Sequence, residues 1–292
     1  MSKNKYEIDM CNGTIMDKLI SFSVPLMLSG ILQLMFNAVD IIVVGRFAGS
    51  QSLAAVGSTT ALINMFVNLF IGVSLGANVL AARFYASGKH KEMSETVHTA
   101  ITFAAISGVV MALIGVLMAK PALELMGTPD DVINLSTLYM RIYFLGMPFF
   151  MLYNYGAAVL RAVGDTKRPL IFLIAAGIIN ACLNMVLVIV FNLGVAGVAI
   201  ATIFSQFISC VLVLRCLNKT DASYQLRFSK LKIKGYYLKQ IFQVGIPAGI
   251  QSTVINFSNA LLQSSVNSFG STAMAGYTAC LLYTSPSPRD TR

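Results

Sequence analysis

The sequence predicts an all-α polytopic membrane protein. Hydrophobic residues make up 56% of the 292 residues and charged residues only 11%, whereas a soluble domain carries about 25% charged residues. The charges cluster in short gaps between long apolar stretches, and a helix needs roughly 20 apolar residues to cross the hydrocarbon of a bilayer. A single water-soluble core is therefore excluded.

Charge-free stretches predict the membrane-spanning helices in chain order. They cover 19–45, 53–80, 96–119, 132–159, 169–191, 195–217 and 238–264, and an eighth helix begins near Thr272. The stretch 169–214 lacks charge throughout, but turn-forming residues at 191–194 divide it into two helices. Residues 1–18 are polar and mixed in charge, and the first apolar run is too long for a signal peptide, so we expect the first helix to stay in the membrane.

Lysine and arginine residues concentrate on one side of the predicted membrane. They fall mainly before the first helix and in the gaps after the second, fourth and sixth helices. The positive-inside rule then places the N-terminal segment, 1–18, in the cytoplasm. The net charge of +9 is carried by these gaps and not by a basic face interleaved with aromatic residues, which argues against nucleic acid binding.

The predicted helices form two unequal units joined by a basic connection. Residues 19–217 form a six-helix bundle, 218–237 form a basic cytoplasmic linker, and 238–279 begin a second bundle. Within the linker, apolar residues alternate with polar or basic residues over 226–233. This pattern fits either an amphipathic segment on the anionic inner leaflet or a solvated linker between the two units.

An internal repeat relates the two units. Residues 18–57 resemble residues 239–278, with Pro25 aligned to Pro247. An even number of helices separates the copies, so both run in the same direction and indicate a duplicated six-helix unit, a design that many transporters use. Asp40 has no acidic counterpart in the second copy. Because proline removes a helix hydrogen bond, the two prolines are either hinges or static kinks.

Asp40 is an acidic residue inside a long apolar stretch. It shares one face of the first helix with Gln33 and Asn37, at spacing i, i+4 and i+7. Such a carboxylate is costly in hydrocarbon and usually faces a cavity or a partner. Polar residues on other helices are predicted to line the same cavity: Asn64, Asn68, Asn180, Asn184, Thr202, Gln206, Gln251, Asn256, Asn259 and Gln263. The alternative for each amide is a hydrogen bond between helices, and for Asp40 it is a position at the membrane surface or a pair with Arg46.

A carboxylate among amides has two uses in a membrane protein. Burial favours the neutral carboxyl, which can carry a proton. Alternatively, carboxylate, amide and hydroxyl oxygens can coordinate a hard cation such as Na⁺. The residues by themselves leave both uses open. They offer no nucleophile with a neighbouring base and no cluster of metal ligands, so an enzyme is not predicted.

Three loop-proximal motifs resemble those of one transporter family. They read LRAVGDTKRP at 160–169, DIIVVGR at 40–46 with LAAVG at 53–57, and GVAGVAIATIFSQ at 194–206. Together they are similar to the multidrug and toxic compound extrusion (MATE) family, in its bacterial NorM/DinF-like branch, over about 17–279.

The resemblance implies a fold and an activity. It implies two six-helix bundles around a central cavity in the full-length protein, of which this chain carries helices 1–7 and the start of helix 8. It also implies secondary active export of amphipathic or cationic small molecules by antiport with H⁺ or Na⁺. We expect a multi-pass protein of the bacterial cytoplasmic membrane that is a monomer in the lipid bilayer and needs no cofactor.

The resemblance also assigns roles to residues. Asp40 falls on the family's helix 1 acid, and Asn180 and Thr202 fall on positions that line a cation site, with Na⁺ as one occupant. Asn184 is a departure, because many relatives with such a site carry Asp there. One carboxylate would then act alone, which favours H⁺ over Na⁺ and makes Asp40 the expected coupling residue.

The end of the chain departs from the expected pattern. Residues 280–292 include CLLYTSPSPRD, which resembles a translated sequencing adapter, and Pro286 and Pro288 would break a helix. We therefore expect 280–292 to be an artefact and the 292-residue chain to be unable to export drugs by itself. Two alternative functions are a flippase for lipid-linked precursors or polysaccharides, from the same superfamily, and a membrane receptor or scaffold without transport activity.

Overall fold

The described part of the chain is built from long α-helices joined by short loops. The computed structural model describes residues 14–283. Its elements are α1 (Ile15–Phe47), α2 (Ser50–Ala86), α3 (His90–Leu125), α4 (Asp130–Leu145), α5 (Met147–Ala162), α6 (Lys167–Met185) with a π-helical turn (Val186–Val190), α7 (Gly194–Lys219), a 3₁₀ turn (Phe228–Lys230), α8 (Gly235–Asn267) and α9 (Ser271–Tyr283). Within residues 14–283 no strand forms, which confirms the all-α class.

Several of these helices can cross a membrane. Five are long and apolar enough, namely α1, α2, α3, α6 with its π-helical turn, and α7. The pair α4 and α5 passes the same test when it is taken as one bent span. These spans confirm the multi-pass membrane fold. Their helices extend beyond several predicted ends, because polar outer turns continue the helical hydrogen bonds outside the hydrocarbon.

The prediction of one continuous helix at 132–159 is wrong. The structure breaks it at Gly146 into α4 and α5, which are bent by 48°. Pro148 explains the break, because proline has no N–H to donate and its ring clashes with the carbonyl four residues earlier. The bend brings α5 against α3 so closely that a Cβ added at Gly108 would lie 2.6 Å from the Cα of Pro148.

The loops divide between the two ends of the bundle. The loops 87–89, 163–166 and 220–234 lie at one end, hereafter the basic end, which contains the predicted clusters of Lys and Arg. The loops at 126–129 and 268–270 lie at the opposite end, where Asn267 donates from Nδ2 to the carbonyl of Met126 at 3.1 Å.

Helix α8 packs against α2 through glycine. A Cβ added at Gly72 would lie 2.2 Å from the Cα of Gly249, and one added at Gly245 would lie 2.6 Å from the Cα of Val73. Gly72 with Gly76, and Gly245 with Gly249, each form a small-xxx-small pair, the pattern that allows membrane helices to approach closely. The two backbones are therefore in direct contact.

Helix α8 is more polar than the other predicted spans. It covers the predicted 238–264 but is not among the helices apolar enough to qualify as a candidate span. It nevertheless runs the length of α3, because Lys234, just before α8, pairs with Glu95 at the start of α3, whereas Asn267 reaches Met126 at the end of α3. Its length and its contacts are those of a helix that crosses with the bundle.

The predicted prolines and terminal segments have different outcomes. Pro25 and Pro247 both lie inside helices, α1 and α8, and whether they act as hinges stays a prediction. Two predicted terminal segments lie partly outside the described residues. These are residues 1–13 of the predicted cytoplasmic segment 1–18 and residues 284–292 of the predicted artefact 280–292. Helix α9 continues to Tyr283, so the start of the latter segment is helical.

Candidate functional site

Four predicted site residues meet in one hydrogen-bonded chain. Asn184 donates from Nδ2 to Oδ1 of Asp40, and also to Oδ1 of Asn180 at 3.2 Å. Asn180 in turn donates from Nδ2 to Oγ1 of Thr202 at 3.5 Å. The chain joins three helices, because Asp40 lies on α1, the two asparagines on α6 and Thr202 on α7. We call these four residues the Asp40 group.

Local geometry explains why these residues come together. Asn180 and Asn184 are one helical turn apart, so they share one face of α6. Asn192 and Gly194 both have a φ of 52°, in the left-handed region that asparagine and glycine tolerate best, and this turn places α7 beside α6. Gly177 leaves space for α1, since a Cβ there would lie 1.9 Å from Cζ of Phe36.

A buried ion pair fixes the start of α6. Asp165 is fully buried and accepts a hydrogen bond from the backbone N–H of Arg168 at 3.1 Å. Its other carboxylate oxygen lies 3.0 Å from Nε of Arg168. These contacts give the GDTKR segment of the loop motif a structural role, because Asp165 accepts one of the free N–H groups at the start of the helix that carries Asn180 and Asn184.

The Asp40 group is mostly shielded from solvent. Asn184 is 0% exposed and Asn180 is 5% exposed, while Asp40 is half-buried. Oδ1 of Asn184 accepts no hydrogen bond from any residue in the described part of the chain. A buried acceptor without a donor costs about 1–3 kcal/mol. A proton donor or a cation bound beside Asp40 would relieve this cost.

A pair of tyrosines on α4, which the sequence analysis missed, adjoins the Thr202 end of the group. Tyr139 and Tyr143 lie one turn apart with ring centroids at 6.1 Å, and Tyr143 lines a small cavity together with Thr202. Their i, i+4 spacing inside an apolar helix was the available signal. Because the partner helix was unknown, the spacing did not connect them to Thr202.

Gln206 adjoins the group one turn beyond Thr202. Its Oε1 is buried and accepts no hydrogen bond within the described residues. It lines a cavity of about 10 Å³ together with Thr202 and Tyr143, a volume of about the size that one water molecule needs. The structure therefore extends the polar surface from Asp40 towards Gln206.

Within the described residues, the remaining predicted cavity residues form no hydrogen bond with the Asp40 group. Gln33, Asn37, Asn64, Gln251 and Asn259 are exposed on α1, α2 and α8. Asn68 and Asn256 are half-buried and donate to carbonyls of their own helices, those of Asn64 and Ser252. Their predicted position in a cavity stays a prediction.

Gln263 was predicted to line the cavity, but its position fits the alternative that these amides help to hold helices together. It is 2% exposed and donates from Nε2 to Oδ1 of Asn267 at 3.0 Å. Asn267 then bonds to the carbonyl of Met126. The pair therefore ties α8 to the loop after α3. Asp40, in contrast, pairs with Asn184, and no salt bridge joins it to Arg46 among the ion pairs of the described residues.

Comparison with known proteins gives a consistent result. The MatE family model matches residues 25–186. The chain is 35% identical over 265 residues to the probable multidrug resistance protein YoeA of Bacillus subtilis (strain 168), covering 88% of this chain and 57% of YoeA. It is 24% identical over 268 residues to the multidrug export protein MepA of Staphylococcus aureus (strain MRSA252), covering 89% of this chain and 57% of MepA.

Solved structures share the fold. The MATE multidrug transporter DinF-BH, solved in complex with a ligand, superposes with a TM-score of 0.86 at 23% identity, covering 96% of this chain and 63% of that one. A transporter of the MOP superfamily from Pyrococcus furiosus superposes with a TM-score of 0.84 at 22% identity, covering 98% of this chain and 63% of that one. The chain thus spans less than two thirds of the length of these relatives.

Proposed function

The chain belongs to the MATE family, and we propose on that premise that it forms the first lobe of a secondary active multidrug efflux transporter with Asp40 as its coupling carboxylate. The observation that carries the proposal is the hydrogen-bonded Asp40 group. It joins a carboxylate to amides on a different helix inside a membrane bundle. A change in the charge of Asp40 would therefore act directly on the contact between α1 and α6.

The coupling ion that fits best is H⁺. Asn184 supplies a neutral amide where a second carboxylate would favour a metal cation, so Asp40 is the acid of the group. A single carboxylate can neutralise itself by taking up a proton, whereas Na⁺ would rely on one charge and on the oxygens of Asn180 and Thr202. Coupling follows if cation binding and drug binding favour opposite facings of the cavity.

The proposed substrates are amphipathic, often cationic small molecules. The relatives support this proposal by their names, which describe multidrug resistance and export, and by the ligand bound to the multidrug transporter DinF-BH. The Asp40 group consists of a carboxylate, two amides and a hydroxyl, which suits a cation better than the pyrophosphate of a lipid-linked precursor. We propose a monomer in the bacterial cytoplasmic membrane, with its basic end in the cytoplasm.

Drug efflux from cells tests the role of Asp40. We expect Asp40→Asn, made in the complete reading frame that encodes this chain, to reduce the rate of ethidium efflux by about tenfold or more, because the variant carries no titratable charge in the group. Proteoliposomes with an imposed pH or Na⁺ gradient then identify the ion, and we expect the pH gradient to drive transport.

A second aspartate provides the control. Asp130 is exposed at the start of α4, so Asp130→Asn removes the same charge without touching the group and should leave efflux unchanged. Wild-type efflux in Asp40→Asn would remove Asp40 from the coupling mechanism while leaving the family and the fold intact.

A further inference from the structure

The connection between α7 and α8, with the first turn of α8, exposes apolar and cationic side chains together. Phe228, Ile233 and Tyr236 are 54%, 40% and 68% exposed. Lys230 and Lys232 lie among them and are also exposed. We call these five residues the interfacial patch. Apolar side chains of this size are costly in water, so the patch needs a partner that accepts both apolar groups and positive charge.

The backbone of the patch is held against α3. The N–H of Arg227 donates to Nε2 of His98 at 3.1 Å, and the other ring nitrogen of His98 lies 2.6 Å from the carbonyl of Ser94. At the far end, the N–H of Lys234 donates to Oγ1 of Thr99 at 3.3 Å. Two anchor points therefore fix the segment between them, which is not a freely solvated linker.

The packing also decides which side faces outward. Tyr224 and Leu226, just before the patch, are fully buried. The N–H of Leu226 donates to the carbonyl of Leu217 at 3.0 Å, and the ring of Tyr224 packs edge-on against Tyr85 at 6.5 Å between centroids. With its inner side chains committed to the bundle, the segment presents the patch to the surroundings.

The position of the patch along the bundle identifies those surroundings. The connection begins where α7, a candidate membrane span, ends at Lys219, and it ends where α8 begins at Gly235. Because α7 is a candidate span and α8 runs beside the bundle, we place the segment between their ends at the level of the lipid headgroups. Aromatic and basic side chains are the combination that binds at this level, and lysines there favour anionic lipids.

The ion pairs leave the charge of the patch available. The described ion pair that involves this connection joins Lys234 to Glu95, outside the patch. We propose that the interfacial patch binds the headgroups of anionic phospholipids and thereby holds the start of α8 at the membrane surface. The proposal needs the membrane fold but not drug transport.

Tryptophan fluorescence can test this binding directly, because the chain contains no tryptophan. Phe228→Trp places a single fluorophore in the patch. The full chain is reconstituted in two sets of vesicles. One set contains acyl-brominated phosphatidylglycerol, and the other contains the same fraction of acyl-brominated phosphatidylcholine. We expect about twofold stronger quenching by the anionic lipid, because two lysines enrich it locally. Tyr236→Trp serves as a second reporter if the first variant folds poorly.

Charge variants and a remote reporter complete the test. Lys230→Gln with Lys232→Gln should remove the excess quenching by the anionic lipid. Lys89→Gln with Lys91→Gln removes the same charge from exposed positions at the same end and should preserve the excess. Phe269→Trp, which is 78% exposed at the opposite end, should be quenched equally by both lipids. Equal quenching of the patch reporter by both lipids, or an excess that survives the loss of Lys230 and Lys232, overturns the proposal.

Discussion

At the scale of single residues, one amide governs the surroundings of the Asp40 carboxylate. Asn184 donates to Asp40 and to Asn180 from the same nitrogen, which leaves its own Oδ1 without a donor in the described structure. A neutral amide stabilises one carboxylate without adding charge. An aspartate at 184 would instead place two carboxylates in contact, and such a pair is stable only if it binds a proton or a cation.

Asn184→Asp should therefore create Na⁺ binding. We expect saturating NaCl, compared with choline chloride at the same ionic strength, to raise the thermal unfolding midpoint of this variant by about 3 °C or more, because a cation that binds only the folded state stabilises it. Unfolding of the detergent-solubilised chain can be followed by circular dichroism. The unmodified chain should show a much smaller Na⁺ effect.

Another asparagine supplies the control for this prediction. Asn256 on α8 donates to the carbonyl of Ser252 at 2.8 Å and lies outside the Asp40 group. Asn256→Asp adds the same charge, so it should gain no Na⁺-specific stabilisation. If Asn184→Asp responds to Na⁺ no more than Asn256→Asp does, the carbonyl and hydroxyl oxygens of the group do not form a cation site.

At the scale of elements, α8 depends on close packing more than on apolar composition. Its sequence is too polar to qualify as a candidate span by itself. Membrane helices gain little from burying apolar surface against each other, so van der Waals contact and polar bonds must hold them together. Here Gly72, Gly245 and Gly249 supply the contact, and Gln263 with Asn267 supplies polar bonds at the far end.

Gly72→Ala should separate α2 from α8. The added methyl would meet the backbone of Gly249 at 2.2 Å, and a backbone cannot move aside as a side chain can. We expect a loss of about 1–3 kcal/mol in the free energy of unfolding, as for other overpacked sites. Thermal or denaturant unfolding in detergent, followed by circular dichroism, measures the change.

Gly30→Ala is the matched substitution. Gly30 is also inside a helix, α1, but an added Cβ there has nothing within 4 Å. The better helix propensity of alanine should then leave stability unchanged or raise it by up to about 1 kcal/mol. Equal stability of the two alanine variants would contradict the close α2–α8 contact.

At the scale of the whole molecule, the contacts at the two ends set the topology. The connection 220–234 meets the start of α3, and the loop before α9 follows the contact of Asn267 with the end of α3. Helix α8 thus crosses the membrane in the same direction as α3, and both run antiparallel to α2. With the basic end in the cytoplasm, residues 230 and 268 lie on opposite sides.

Cysteine labelling tests this topology. In a cysteine-free background, Ser268→Cys and Asp130→Cys should react with a membrane-impermeant maleimide in intact cells. Lys230→Cys and Lys89→Cys should react only after permeabilisation. Joint labelling of 230 and 268 from the same side would show that α8 does not cross, and labelling of 89 in intact cells would reverse the proposed orientation.

The sequence by itself determined the fold class, most of the spans and a set of polar candidates that contains the Asp40 group. Span length and charge are local properties, because hydrocarbon excludes charges wherever they occur along the chain. The i, i+4 pair of asparagines on α6 was visible for the same reason. The resemblance then singled out Asn180 and Thr202 from the other polar candidates as the positions that accompany Asp40.

Only the tertiary structure decided which faces meet. It placed Tyr143 beside Thr202, bonded Asn267 to the loop after α3, and docked the basic connection onto His98. It also brought α8 into backbone contact with α2. These outcomes depend on the rotation and separation of helices that are distant in the chain, and a periodic sequence pattern defines the polar face of a helix without defining the partner that covers it.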